Sequence, residues 1–256
     1  MRKLYLIGIG AGNPEYITVQ AIKALNVVDV FFFIDKGEAK QDLVNLRKEI
    51  CERYIENRSY RVVEAEDPVR DPTISDYTTR VEVWHRQRAL IYEEMIAQEL
   101  GDNQCGAFLV WGDPSLYDST LRIIDQVAAR RTVEFELEII PGITSIQALT
   151  ARHRISLNRI GEPVHVTTGR RLIEDEFPAR ADVVVLLDGH CAFNELADED
   201  IDIFWGAYLG TPDEILLSGK LSELRGRIEE VRAHARQRKG WIMDTYLLRR
   251  RGAPSC

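Results

Sequence analysis

At 256 residues, with 45% apolar and 29% charged side chains, the chain has room for two ordinary domains or one large α/β unit, and its composition excludes general disorder and collagen-like or coiled-coil architectures. Its 33 basic against 41 acidic residues leave a net charge of −8, which repels a polyphosphate backbone and makes nucleic acid a poor partner. Cys51, Cys105, Cys191 and Cys256 stand far apart, with no C-x-x-C pair and no histidine at zinc-ligand spacing, so neither a metal site nor a disulfide framework is indicated.

The opening stretch Leu4–Gly12 is apolar but glycine-punctuated and runs into Asn13-Pro14-Glu15, which reads as a strand and turn rather than a secretory signal. No apolar run reaches the eighteen or so residues of a membrane span, so no membrane partner and a cytoplasmic location are expected. Short β-branched or aromatic runs predict strands at Lys3–Gly8, Val30–Ile34, Tyr60–Val63, Ala107–Trp111 and Glu134–Ile140. Between them, Leu43, Leu46, Ile50 and Tyr54, and then Tyr77, Val81, Trp84, Ile91 and Met95, recur at helical steps as core faces. A further helix closes through Arg122–Arg131. This alternation predicts βαβ units and a mostly parallel sheet.

After Pro141-Gly142 the pattern changes. A short helix through Ala148 and a polar stretch at Arg152–Gly161 precede strands near Val164–Thr167, Val183–Leu187, Ile203–Leu209 and Ile215–Ser218. Gly210-Thr211-Pro212-Asp213 is turn chemistry between the last two, which predicts a hairpin and hence a mixed sheet. A helix over Leu221–Arg238 and a strand over Trp241–Leu248 follow. The expected organisation is an N-terminal α/β domain, 1–146, and a C-terminal α/β domain, 147–256.

Three loops carry candidate chemistry. Gly8-Ile9-Gly10-Ala11-Gly12 follows the first strand, where glycines let backbone amides approach a ligand, and Asp35 follows the second, about where an acidic residue meets a ribose. The dinucleotide fingerprint is broken, since its third glycine falls at Asn13, so a nucleotide cradle and a simple bend both remain open. Trp111-Gly112-Asp113-Pro114-Ser115-Leu116-Tyr117 closes the fourth strand at the edge where parallel sheets bind ligands, although Asp113 or Ser115 would equally cap a helix starting near Leu116. Pro141-Gly142-Ile143-Thr144-Ser145 ends the fifth strand, with Thr144 or Ser145 able to cap the next helix. Convergence of three such loops on one rim predicts a binding cleft without naming its ligand. Arg152, Arg154, Arg159, Arg170 and Arg171, with His153 and His165, suit a polycarboxylate ligand or form a solvated face. His153, alone in a polar linker, is more often solvated than catalytic.

Taken in order and spacing, the three loops resemble the signature of the tetrapyrrole (corrin and sirohaem) methylase family over nearly the whole chain. Leu4–Pro14 resembles its opening strand and glycine turn, Gly112-Asp113-Pro114 its central loop, and Pro141–Ser145 its third motif. Asp35-Lys36-Gly37, Trp111–Tyr117, Thr167-Thr168-Gly169-Arg170-Arg171 and Trp205–Glu214 look most like members that methylate C-1 of precorrin-5 and release its acetyl group as acetate in aerobic cobalamin synthesis. The resemblance implies S-adenosylmethionine folded into a cleft between the two domains, no metal, and a homodimer. Its implied cofactor contacts are Ala11, Trp111, Gly112, Asp113, Leu116, Thr144, Ser145, Leu187 and Gly210, with Asp188 taking the place of Leu187 in a shifted alignment. Ala11 stands where the family usually has proline, and Trp111 where related members have glycine.

Methyl transfer from a sulfonium to an electron-rich ring carbon works by positioning and needs no covalent nucleophile, consistent with the lack of a convincing Ser-His-Asp or Cys-His set. Acetyl loss needs an oriented water, for which Asp113 or a nearby histidine is the candidate. Lys36, Arg122, Arg152, Arg154, Arg170 and Arg171 are the candidates for the tetrapyrrole carboxylates. The competing readings are another methylase of the same fold, acting on a different precorrin carbon or acceptor, and a non-catalytic nucleotide-binding module built on Gly8–Gly12.

Overall fold

A computed structural model describes residues 1–35, 41–56, 59–175, 177, 181–197 and 200–251. The chain divides into two units, Met1–Ile143 and Thr144–Cys256, so the division falls inside the Pro141–Ser145 motif.

The first unit runs β1 (Arg2–Gly8), α1 (Val19–Leu25), β2 (Val30–Asp35), α2 (Gln41–Tyr54), β3 (Arg61–Glu66), α3 (Tyr77–Glu99), β4 (Cys105–Val110), α4 (Thr120–Arg130) and β5 (Phe135–Ile140). Its sheet has the order β3-β2-β4-β1-β5, with every pair parallel. Successive strand residues point to opposite faces, and both faces are covered, which is why β1 and β2 read as unbroken apolar runs. Leu4 and Leu6 join Val30, Phe32, Ile96 and Ile124 on one side, while Tyr5 and Ile7 join Ala21, Leu25, Phe31 and Ile50 on the other. Helix starts are set by side-chain caps. Thr18 accepts from the Ala21 amide at 3.1 Å and Asp76 from that of Thr79 at 2.7 Å.

Two arginines enter this unit. Arg88, only 3% exposed, makes a bidentate pair with Asp67 at 2.7 and 2.8 Å and lies over the Trp84 ring. β2 and β4 pair only over Val30–Phe32 and Gly106–Phe108, and beyond that Arg47 Nε donates to the Leu109 carbonyl at 3.0 Å. A guanidinium thus replaces a ladder partner where the two strands part.

The second unit runs α5 (Ser145–His153), β6 (Val164–Thr168), α6 (Gly169–Glu174), β7 (Asp182–Leu186), β8 (Ile201–Ala207), β9 (Ile215–Lys220), α7 (Leu221–Lys239) and β10 (Asp244–Arg250). The sheet order is β6-β7-β10-β8-β9; β6 and β7 are parallel and the other pairs antiparallel. The expected hairpin is present as β8 and β9, joined through Gly210–Asp213, and the sheet is mixed because the parallel β6–β7 pair joins antiparallel neighbours. At the start of β10, Asp244 accepts from Arg232 Nε at 2.9 Å and Trp205 Nε1 at 3.0 Å, so this buried carboxylate is both paired and hydrogen-bonded.

Several expected boundaries move for identifiable reasons. β4 stops at Val110, leaving Trp111 outside, because Gly112 turns at φ +69° and bridges to Gly10. β7 stops at Leu186 and β8 at Ala207 because Leu187 and Tyr208 take left-handed backbones, with φ of +53° and +49°. β3 continues to Glu66, β5 starts at Phe135 and β10 at Asp244. Tyr77, expected on a core stripe, is exposed at the first position of α3. Leu43 has its side chain outside the described residues. His153 belongs to α5, not to a linker, and is half-buried, with a ring nitrogen 3.1 Å from the Trp205 carbonyl and its ring edge-on to Phe204.

Candidate active site

In the first unit, β4, β1 and β5 lie side by side, so the loops after Val110, Gly8 and Ile140 share the carboxyl edge of the sheet. Their glycines serve backbone-on-backbone packing. Gly112 and Gly10 exchange hydrogen bonds at 2.9 and 3.2 Å. A Cβ at Gly8 would stand 2.6 Å from the Gly142 nitrogen and 2.9 Å from the Gly112 oxygen, closer than real side chains come. Gly10 also requires its positive φ of +81°. The broken fingerprint has a local cause as well: Asn13 caps a short 3-10 turn, accepting from the Glu15 amide at 2.8 Å with Pro14 in its first position.

Asp113 ties two of the loops together. Its Oδ1 accepts from the Ser115 amide at 2.8 Å and from the Ser115 hydroxyl, and its Oδ2 accepts from the Gly142 amide at 2.8 Å. Burial raises its carboxyl pKa, but the Ser115 hydroxyl and the Gly142 and Ser115 amides outweigh it and hold the group below the usual carboxylate range. Three of its roughly four acceptor positions are thereby taken. The helix expected near Leu116 begins instead at Thr120, where Asp118 accepts from the Thr120 amide at 2.6 Å. Asp113 therefore makes a turn and a clamp rather than a helix cap.

In the second unit, Thr144 caps α5 in a capping box: its hydroxyl accepts from the Ile146 amide at 3.2 Å and its own amide donates to Gln147 Oε1 at 3.1 Å. Ser145 Oγ accepts from the Thr245 hydroxyl at 3.1 Å. At the end of β7, Leu187 is 65% exposed on a left-handed backbone, whereas Asp188 is buried. Asp188 accepts from the His190 and Ala192 amides and from the Tyr246 hydroxyl, at 2.9, 2.7 and 2.7 Å, so its carboxylate serves the interior and Leu187 faces outward. Gly210 donates its amide to Glu214 Oε2 at 2.8 Å, with φ at +77°.

Among the other expected contacts, Ala11 and Gly112 are buried, and Trp111, Leu116, Thr144, Ser145 and Gly210 are half-buried. Lys36 lies outside the described residues. Arg122 is exposed on α4, Arg170 is exposed on α6, and Arg154 is the exposed left-handed cap of α5. Arg171 pairs with Glu174 at 3.1 Å along α6, and Arg152 pairs with Glu214 at 2.5 Å. Asp188 as an internal hub and Glu214 as a loop partner carry no motif of their own, because their partners at Tyr246 and Arg152 lie far away in sequence.

A profile of the Tetrapyrrole (Corrin/Porphyrin) Methylases matches residues 3–225. The chain belongs to the tetrapyrrole methylase family. This tetrapyrrole methylase is 54% identical over 251 residues to a Sinorhizobium protein named precorrin-6A synthase [deacetylating], covering 98% of the chain and 96% of the relative. It superposes on the crystal structure of a putative cobalamin synthesis related protein (CobF) from Corynebacterium diphtheriae with a TM-score of 0.83 and 40% identity, over 98% of this chain and 99% of that one. A uroporphyrin-III C-methyl transferase from Thermus thermophilus, complexed with S-adenyl homocysteine, shares the fold at a TM-score of 0.56 and 17% identity, over 96% and 91% of the two chains.

Proposed function

We propose that this tetrapyrrole methylase transfers a methyl group from S-adenosylmethionine to C-1 of precorrin-5 and releases the acetyl group as acetate, giving precorrin-6A in aerobic cobalamin synthesis. The supporting observation is near-full-length identity of 54% to the Sinorhizobium precorrin-6A synthase, where the relatives named for C-11 and C-20 methylation stand at 24% and 30%. On the same reading the enzyme is a cytoplasmic homodimer with no nucleic-acid or membrane partner. Among the described residues no helix is long and apolar enough to cross a membrane.

The residues present suit a sulfonium nucleoside. Leu187 holds a large apolar side chain in solvent on a strained backbone, a cost of about 1–3 kcal/mol that functional sites commonly retain. Trp111 and Leu116 add half-buried apolar surface, and Ala11, Gly112, Thr144, Ser145 and Gly210 contribute small residues on loops whose Gly112, Thr144 and Gly210 amides are already held by Gly10, Gln147 and Glu214. When bound, the cofactor supplies a methyl group open to in-line attack by a ring carbon. The chain's part is to fix the loops beforehand: Asp113 holds the Gly112 turn on Gly142, and the capping box holds Thr144 and Ser145.

For acetyl loss, water adds to the acetyl carbonyl, the bond from ring to acetyl carbon breaks with its electron pair left on the ring to form the next bond there, and acetate departs carrying the water oxygen while the two water protons are released. Asp113 keeps one acceptor position, on Oδ2, and there it orients that water. Lys36, Arg122, Arg152, Arg154, Arg170 and Arg171 are the candidates for the tetrapyrrole carboxylates, with Arg152 and Arg171 sharing their charge with Glu214 and Glu174. Incubation of the purified protein with precorrin-5 and methyl-labelled S-adenosylmethionine tests the assignment. One label per product and one acetate per label are expected; a labelled product without acetate, or no labelled product, would overturn it.

A further inference from the structure

Glu214 sits at the far end of the turn that begins at Gly210, immediately before β9. Its Oε2 accepts the Gly210 amide at 2.8 Å, its Oε1 accepts Arg152 Nε at 2.5 Å, and its own amide donates to the Thr211 carbonyl at 3.1 Å. The Glu214 side chain is only 10% exposed, whereas that of Arg152 is about half exposed. A carboxylate so far withdrawn from water needs both hydrogen bonds and a counter-ion, and it has them. Arg152 lies in the last turn of α5, the helix whose cap and first residue are Thr144 and Ser145. One carboxylate therefore couples the Gly210 turn to the far end of the helix that carries Thr144 and Ser145.

The neighbouring anchors of the turn are of another kind. Thr211 bonds back to the Tyr208 carbonyl through its amide and hydroxyl, at 3.0 and 2.7 Å, and Asp213 is held by Arg238 and Lys239. These close the turn on itself and on α7, but neither reaches the Gly210 amide or α5. Asp113 does the equivalent work in the first unit, accepting the amide of Gly142.

We propose that Glu214 is a positioning residue for the methyl donor, setting the Gly210 turn against α5, and that Arg152 acts as its counter-ion rather than as a ligand of the tetrapyrrole. This rests on the reading above that Gly210 contacts S-adenosylmethionine. Equilibrium binding of S-adenosylhomocysteine to the full chain tests it, together with the Tm of the unliganded protein and KM for both substrates. Glu214→Ala is expected to weaken S-adenosylhomocysteine by about 10–100-fold, the loss of hydrogen bonds to a charged group. Glu214→Gln, which keeps the shape and one acceptor oxygen, is expected to weaken it by about 3–10-fold. This isosteric variant keeps the test valid should the alanine variant fail to fold. Arg152→Ala is expected to raise KM for the methyl donor by a few-fold, about the worth of an exposed ion pair, and to leave KM for the tetrapyrrole alone.

Unchanged S-adenosylhomocysteine binding in Glu214→Gln would overturn the proposal, as would an Arg152→Ala enzyme impaired only for tetrapyrrole. So would a parallel loss of Tm and of both affinities, which marks a purely structural carboxylate. A wild-type protein that fails to bind S-adenosylhomocysteine overturns instead the reading of Gly210 itself, and that result is distinct from wild type and variant binding equally well.

Discussion

The Gly142 amide donates to the Asp113 carboxylate at 2.8 Å, across 29 residues of sequence, and in doing so pins the end of β5 to the end of β4. The same closeness leaves no room at Gly142, where a Cβ would fall inside the Gly112 carbonyl oxygen and within 2.9 Å of Gly8. Gly142→Ala is therefore expected to destabilise the first unit by about 3 kcal/mol, since its neighbours are backbone and have no rotamer to yield. Urea unfolding of the purified variant measures this; a change under 1 kcal/mol would show that the loops give way.

Asp113→Asn separates the two duties given to that residue. The amide keeps one acceptor oxygen and presents an NH2 group to the other donors, which is expected to cost about 1–3 kcal/mol of stability. If Asp113 also orients water, acetate released per methyl transferred falls well below one while methyl transfer continues. Equal losses of acetate and methyl transfer would leave Asp113 as a clamp alone.

His153 makes stability depend on pH. Burial lowers its pKa from the usual value near 6.5, outweighing the Trp205 carbonyl and Glu214, which favour the charged form. The unfolded chain then binds the proton more readily, so the contribution is complete above about pH 6.5 and is lost as pH falls through the lower folded value. His85 is shifted in the same direction, by burial and then by Arg88, Arg70 and Arg122. The urea midpoint is expected to drop from pH 7.5 to pH 5.5, and His153→Gln to reduce that drop without abolishing it. An unaltered slope in the variant would contradict the assignment.

Cys51 and Cys191 are chemically quiet. Burial pushes the Cys51 thiol up to about 12. It pushes Cys191 up to about 11, with Arg232 opposing and Asp188, Asp244 and Glu229 adding. The thiolate is the reactive form, so iodoacetamide at pH 8 is expected to leave both unmodified in the native protein and to label both once urea unfolds it. Peptide mapping by mass reads the outcome, and native labelling at Cys51 would be the contrary result.

What could be read from the sequence was what local chemistry dictates. The unbroken apolar runs of β1 and β2 announce strands covered on both faces, and Gly210-Thr211-Pro212-Asp213 announces the hairpin. The glycines of the three loops mark close backbone approach, although spacing does not say that the approaching backbone is another loop. Tyr208 and Leu187 turn left-handed where glycine or asparagine would flag it, so the apolar pattern overruns the true ends of β8 and β7. In sequence Arg152 is indistinguishable from the other arginines because its partner, Glu214, lies 62 residues away. His153 reads as solvated for the same reason, its contacts being with β8.

β10 occupies the middle of the second sheet yet follows β6, β7, β8 and β9 along the chain. A nascent polypeptide therefore emerges with the facing edges of β7 and β8 bare until Asp244–Arg250 has cleared the ribosome, at about 5–20 residues per second. Bare edges invite foreign strands. A stop codon between Lys220 and Asp244 would therefore do more than shorten the product: it would leave β6 with β7 and β8 with β9 as two separate ribbons, ready substrates for quality-control proteases.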